Sequence, residues 1–324
     1  TGQHIQHTKL FDNLNFPWSN SLDPAIGTLG HLLGEAGYYA AYKGKWHLAR
    51  ETDTHDELAL PDEKLTKFLE TYGFKDYVGI GDVIGLTQGG YLNDDIIGAQ
   101  TQRWLRVRGR PMTEAGKPWF TAVNIVNPHD VMFFNTDEPG QSVQDQPKTL
   151  MSIARSPDLP FYEKEWDIEL PRSRHEPFDQ PGRPQAHREY QLARGALVGN
   201  FPDEDPRWHR LLNYYLNCIR ETDQVVEMLL DELEDLGIAD NTIVVMTAGI
   251  LVREIADQRA ARNLVLPVGL QTARLVEGFM AGPGQLDVPL LFIERKMWRT
   301  CDGHQRLRLV LDALRGLIGV KEND

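Results

Sequence analysis

Residues 34–48 read GEAGYYAAYKGKWHL, joining the end of a helical pattern to a short apolar run and two basic side chains. The helical pattern covers residues 28–37 and has apolar positions on one face. The run 38–42 then predicts a buried strand. Lys45 and His47 follow this strand two positions apart, and on an extended segment that spacing places both side chains on one face.

The rest of the chain alternates helical and extended patterns, which predicts an α/β fold with a mostly parallel sheet covered by helices. Continuous apolar runs at 119–126 and 242–246 predict two more buried strands. Helical periodicity predicts helices over residues 65–72, 93–108 and 211–236. In open α/β sheets, ligands bind at the carboxyl ends of the strands, where Lys45 and His47 are expected.

Two of these helices carry more detailed expectations. The helix over 93–108 is predicted to have an inward face that consists of Ile96, Ile97, Ala99 and Leu105. Pro111 is expected to break that helix, because proline lacks the backbone N–H. In the helix over 211–236, Cys218 is interpreted as a small buried apolar residue. With Cys301 it offers at most one disulfide and no metal-ligand spacing.

The second apolar run leads into Asn127-Pro128-His129-Asp130. A sulfate or phosphate ester needs its negative oxygens neutralised, and lysine supplies a compact charge while histidine donates a hydrogen bond or a proton. We therefore predict that Lys45, His47 and His129 form an oxyanion site. Asp130 is expected to cap the following turn rather than to bind metal.

Other polar residues near this pattern receive structural interpretations. Trp46 is expected to pack beneath the site. His4 and His7 stand in polar surroundings and are expected to be structural or solvated.

Three ordered stretches, 34–48, 120–130 and 240–248, together resemble the sulfatases of the alkaline phosphatase superfamily. Thr1-Gly2 also resembles a segment that closely follows the nucleophile signature of that family. The resemblance covers residues 1–248. It implies an alkaline-phosphatase-like three-layer sandwich, with a mostly parallel central sheet and helices on both faces.

The resemblance also implies roles and a substrate class, a small-molecule sulfate ester. Lys45 would contact both the sulfate and the nucleophile, His47 would orient or deprotonate the nucleophile, and His129 would stabilise or protonate the leaving oxygen. In the family the nucleophile is a formylglycine made from Cys or Ser, and a Ca²⁺ or Mg²⁺ ion held by carboxylates polarises the sulfate.

The chain departs from the family pattern at two places. The nucleophile signature and the first aspartate pair would precede Thr1, so no nucleophile is assigned in this chain. After Ala248 the chain continues Gly249-Ile250, where the family has Asp-His-Gly, so no metal ligand is assigned. We therefore expect an incomplete and inactive copy of a sulfatase that binds no cofactor. Two alternatives stay open: an inactive anion-binding or scaffold protein, and a phosphate or phosphonate ester hydrolase of the same superfamily.

The balance of charged residues also changes after Ala248. The whole chain carries −13, whereas residues 249–324 hold 11 basic and 9 acidic residues, and nine of the eleven basic ones are arginine. We interpret 1–248 as a sulfatase catalytic domain with a long loop-rich excursion over 135–207, and 249–324 as a divergent or frameshifted tail that should pack poorly. A naturally diverged C-terminal segment is the alternative.

Composition excludes some partners. The acidic balance argues against nucleic acid, because its binding needs clustered Lys and Arg. No apolar run approaches the roughly 20 residues that cross a bilayer. Periplasmic, extracellular and cytoplasmic locations all stay open.

Overall fold

The computed structural model describes residues 1, 3–10, 20–52, 62–79, 81, 87–146 and 148–246, together with the backbone of 247–248, 266–267 and 290–295. By internal contacts the chain divides into two compact units. The sheet unit comprises residues Thr1–Ile84, Asn93–Val126 and Asp223–Asp324. The second unit comprises residues Gly85–Leu92 and Asn127–Thr222.

Helices account for much of the described chain. The α-helices are α1 (Ile5–Thr8), α2 (Leu29–Glu35), α3 (Glu63–Phe68), α4 (Gly89–Trp104), α5 (Arg110–Glu114), α6 (Gln185–Val198) and α7 (Asp205–Asp235). A π-helical turn, Leu105–Gly109, joins α4 to α5. Short 3-10 turns occupy Arg50–Thr52, Leu69–Tyr72, His129–Phe133, Pro160–Glu163, Arg172–His175 and Ala239–Asn241.

Strands of the sheet unit form a parallel sheet in the order β1-β2-β5-β3-β4. Their bounds are β1 (Tyr39–Gly44), β2 (Trp119–Ile125), β3 (Ile243–Ala248), β4 (Leu266–Pro267) and β5 (Leu290–Arg295). The three strands predicted from apolar runs are confirmed. Every residue of β2 is buried, as a strand paired on both sides and covered by helices requires.

The position of β5 bears on the predicted tail. Its backbone pairs with β2 on one side and with β3 on the other, so residues 290–295 are integrated into the sheet. The backbone of this strand is paired, whereas the side-chain packing of the tail, which the expectation concerns, lies outside the described residues. Most of the remaining tail, including Cys301, lies outside the described residues, and the boundary after Ala248 stays a prediction.

Side chains on opposite faces of β2 contact different helices. Phe120 and Ala122 pack in one cluster with Leu33 of α2. Trp119, on the other face, lies against Trp104 of α4, with ring centroids 5.3 Å apart. Helices therefore cover both faces of the parallel sheet, and the predicted α/β class is confirmed.

The helix over 93–108 differs from its prediction at both ends. It begins four residues earlier, at Gly89, and Pro111 does not break it, because this proline sits in the first turn of α5, where no backbone N–H is required. Its predicted inward face is also partly wrong. Ile97 and Leu105 are buried, but Ile96 is 49% exposed and Ala99 is exposed.

Residues 135–207 include α6 and the 3-10 turns Pro160–Glu163 and Arg172–His175, and they contribute buried side chains to the second unit. Tyr162 packs in a cluster with Phe134, Tyr214 and Cys218. Cys218 is fully buried, which confirms its interpretation as a core residue. The excursion therefore contributes a buried side chain, Tyr162, to this hydrophobic cluster of the second unit.

Candidate functional site

Strand β1 ends at Gly44, where only glycine fits. Its φ of 81° lies in the left-handed region, and a Cβ placed there would stand 2.1 Å from the carbonyl oxygen of Asn124 in β2. Directly afterwards the Lys45 N–H donates to the same oxygen at 2.9 Å. The close approach of the two backbones thus fixes where the chain leaves the sheet.

Lys45 lies at the carboxyl edge of the sheet and is almost completely buried, with 2% of its surface exposed. Lysine is seldom buried to this extent unless its ammonium group has polar or anionic partners. Its position and burial fit the predicted oxyanion-binding role, which stays a prediction.

His47 is half-buried in the same loop and has a φ of 53°. The extended-segment reason given for its pairing with Lys45 is wrong, because the strand has already ended at Gly44 and His47 takes a left-handed backbone conformation. The turn, rather than strand alternation, sets the direction of these two side chains.

Trp46 packs into the core below this loop, as predicted. Its ring lies 5.3 Å from Tyr42, 5.0 Å from Tyr72 and 5.9 Å from Phe74, measured between centroids. These aromatic contacts anchor the loop that carries Lys45 and His47.

His129 belongs to the second unit and follows the end of β2 by four residues. It opens the 3-10 turn His129–Phe133 after a cis Asn127-Pro128 peptide bond, and its side chain is buried at 8% exposure. Its ring centroid lies 5.7 Å from that of Phe133. The convergence of His129 with Lys45 and His47 on one anion stays a prediction.

Asp130 caps the start of α4. One carboxylate oxygen accepts from the Gly90 N–H at 2.8 Å and the other from the Tyr91 N–H at 3.0 Å, both in the first turn of α4. A carboxylate at a helix N-terminus is stabilised by the free N–H groups and by the helix dipole. Asp130 therefore orders the turn beside His129.

Asn124 is a polar residue at this edge that the sequence interpretation missed. It is buried at 3% exposure, and among the described residues its side-chain Oδ1 and Nδ2 make no hydrogen bond. A buried amide without partners is costly and calls for an explanation. The available signal was a polar side chain interrupting an otherwise apolar strand.

Lys43 is a second buried lysine, two residues before Lys45. Its Nζ donates to the carbonyl oxygen of Asp76, whose carboxylate accepts from the Tyr39 hydroxyl at 3.0 Å and from the Trp104 indole at 2.7 Å. Burial lowers the pKa of Lys43 to about 8, against an opposing effect of Asp76. Lys43 is thus tied into the sheet unit.

The lowered pKa of Lys43 predicts a specific pH dependence of stability. Below about pH 8 both states carry the charged lysine, and the folded state bears the full cost of burying it. Between about pH 8 and 10.5 the unfolded state binds more protons, so the free energy of unfolding should rise with pH, by up to about 3 kcal/mol.

Denaturant titrations across this pH range should show that the free energy of unfolding increases more with pH in the wild type than in Lys43→Met. The exposed Lys64→Met is the matched control and should keep the wild-type slope. Parallel pH profiles for wild type and Lys43→Met would contradict the prediction.

The remaining candidates contribute no site. His4 and His7 lie on or beside α1 and are exposed, in agreement with their predicted solvated role.

Within the described ranges, no group of three or more His, Cys, Asp or Glu side chains could hold a metal ion. The described residues thus do not fit the divalent cation that the resemblance implies. Nor is any helix of the described chain long and apolar enough to cross a membrane.

Comparison with known proteins identifies the family of this chain. A model of the sulfatase family matches residues 1–251, the greater part of the chain. The chain therefore belongs to the sulfatase family. It is also similar to the uncharacterized sulfatase YidJ of Escherichia coli (strain K12), with 41% identity over 51 residues. That segment spans 15% of this chain and only 10% of YidJ.

Proposed function

We propose that the chain carries the oxyanion-binding part of a sulfuric ester hydrolase, built on an alkaline-phosphatase-like three-layer sandwich. The observation that supports this most is the almost complete burial of Lys45 at the carboxyl edge of the sheet, in a chain of the sulfatase family. A sulfate monoester presents negative oxygens that such a buried ammonium group can neutralise.

The roles proposed for the three basic residues follow the charge changes of ester hydrolysis. Lys45 neutralises the sulfate oxygens and contacts the nucleophile. His47 orients the nucleophile or removes its proton. When the S–O bond to the alcohol breaks in exchange for a bond from sulfur to the nucleophile, His129 stabilises the leaving oxygen or protonates it, so that the alcohol departs neutral.

A formylglycine nucleophile and a Ca²⁺ or Mg²⁺ ion would complete such a site in a sulfatase. When bound, the cation would polarise the sulfate. None of the roles assigned to Lys45, His47 and His129 requires the cation. The substrate class proposed is a small-molecule sulfate ester.

Sulfate binding tests the proposal directly. In calorimetric titrations of the full chain with inorganic sulfate at constant ionic strength, Lys45→Met and His129→Ala should each weaken binding by about tenfold or more, because each removes a preorganised contact. Lys64→Met removes an exposed lysine and should leave the affinity unchanged. An unchanged affinity in Lys45→Met would refute the oxyanion site.

A substrate panel separates the proposed activity from its two alternatives. Aryl sulfates, phosphate monoesters and phosphonate monoesters are compared in the longest protein that contains this sequence. Turnover of sulfates above the others supports a sulfatase. A preference for phosphorus esters favours the phosphate or phosphonate hydrolase, and sulfate binding without turnover of any ester favours an anion-binding protein.

A further inference from the structure

The turn that carries His129 is attached to the long helix α7 through Asn127. The Asn127 Nδ2 donates to Glu221 Oε2 at 2.8 Å, and Asn127 Oδ1 accepts from the Asp130 N–H at 3.4 Å. Asn127 is fully buried. Its amide therefore spans the gap between a carboxylate on α7 and the backbone of the residue that follows His129.

Glu221 is itself fixed by a second donor. The same Oε2 atom accepts from the Tyr162 hydroxyl at 2.6 Å. Burial raises the pKa of Tyr162, and the hydrogen bond to Glu221 acts in the same direction, so the hydroxyl stays protonated and remains a donor. Tyr162 belongs to the loop-rich excursion, which is thereby tied to the His129 turn.

Close packing restricts the orientation of the Asn127 side-chain amide. A Cβ at Gly90 would stand 2.3 Å from Asn127 Cγ, so the backbone at the start of α4 lies directly against this amide. Gly90 also donates to Asp130. The side chain of Asn127 is therefore held between α4 and Glu221, and reversing its amide would place its oxygen against the Glu221 carboxylate.

We propose that Glu221 is a positioning residue for His129, acting through Asn127 and held in place by Tyr162. This inference rests on the proposed function, in which His129 contacts the sulfate ester. Glu221 has no assigned contact with the substrate. Its carboxylate orients the Asn127 amide, the amide orients the backbone at Asp130, and the position of the His129 ring follows.

The test uses the full chain, inorganic sulfate as the probe, and two readouts. Calorimetry gives the sulfate affinity, and NMR gives the ring resonances of His129 without sulfate. Glu221→Ala should shift these resonances and weaken sulfate binding by about tenfold, because a misplaced contact loses its preorganisation. Glu221→Gln retains an acceptor oxygen for Asn127 and should stay within about threefold of the wild type.

Two further variants make the result specific. Tyr162→Phe removes one hydrogen bond to Glu221 with little change in volume and should weaken sulfate binding by about threefold, in the range of one net hydrogen bond. Glu234→Ala removes an exposed carboxylate from the same helix and should match the wild type. A purely structural Glu221 would lower the melting temperature but leave the His129 resonances and the affinity of the folded protein unchanged.

The outcomes distinguish this inference from the proposed function. If His129→Ala binds sulfate as the wild type does, or if the wild type binds none, the proposed function fails and this inference falls with it. If His129→Ala weakens binding but folded Glu221→Ala does not, the positioning role alone is overturned. If Glu221→Ala does not fold, wild-type resonances and affinity in Tyr162→Phe overturn it instead.

Discussion

Gly44→Ala should lower the free energy of unfolding by about 4 kcal/mol or more, as substitutions that combine overpacking with backbone strain do. The added Cβ would stand 2.1 Å from the Asn124 carbonyl oxygen and would sit at a φ of 81°. That oxygen belongs to the paired strand β2 and also accepts from Lys45. Relief of the clash therefore requires β1 and β2 to separate.

Two other glycines serve as controls for this substitution in denaturant titrations. Gly37 also has positive φ, at 89°, but has open space around it, so Gly37→Ala should cost about 1 kcal/mol for backbone strain alone. Gly34 has open space and lies inside α2, where alanine should stabilise by about 0.5 to 1 kcal/mol. Equal effects at Gly44 and Gly37 would show that the close approach to β2 is unimportant.

Arg207→Met should destabilise the second unit by about 3–5 kcal/mol, because it leaves the buried Asp137 carboxylate without its cation. Arg207 Nη1 lies 2.6 Å from Asp137 Oδ1, and both side chains are almost fully buried. The other carboxylate oxygen accepts backbone N–H groups, from Val143 and Gln144. These N–H groups donate hydrogen bonds to the carboxylate but do not neutralise its charge.

The comparison for this prediction is the exposed pair Arg110 and Glu114, one turn apart on α5 with N and O atoms 2.8 Å apart. Arg110→Met should change the free energy of unfolding by less than about 1 kcal/mol, because water screens that pair. The double variant Arg207→Met, Asp137→Leu should recover much of the loss, because it removes both buried charges. If Arg207→Met behaves like Arg110→Met, the buried pair contributes little.

Much of the sheet could be predicted from the sequence because local composition determines it. The strands near 38–42, 119–126 and 242–246 are apolar runs bounded by turn residues, and such runs become buried strands in an α/β fold. The start of α4 could not be read in this way. Its cap is Asp130, about 40 residues away in sequence, so no local cap residue marks Gly89.

Residues of the candidate site could be proposed from the sequence only where they occur in a recognisable pattern. Lys45, His47 and His129 stand in stretches that resemble the sulfatases, whereas Asn124, Asn127 and Glu221 are ordinary polar residues in strand, turn and helix patterns. Their importance depends on burial and on partners that the fold brings together, such as Asn127 with Glu221, 94 positions apart. Periodicity gives no information about such contacts.

The central position of β5 has a consequence for how the chain folds. Phe120 of β2 pairs with Leu290, about 170 positions later, and Ile243 of β3 pairs with the same residue. Pairings so far apart in sequence close large loops and form slowly. During synthesis β2 and β3 would leave the ribosome well before their common neighbour, each with an exposed strand edge open to pairing with other chains. Aggregation during expression should therefore decrease with chaperones that shield these edges.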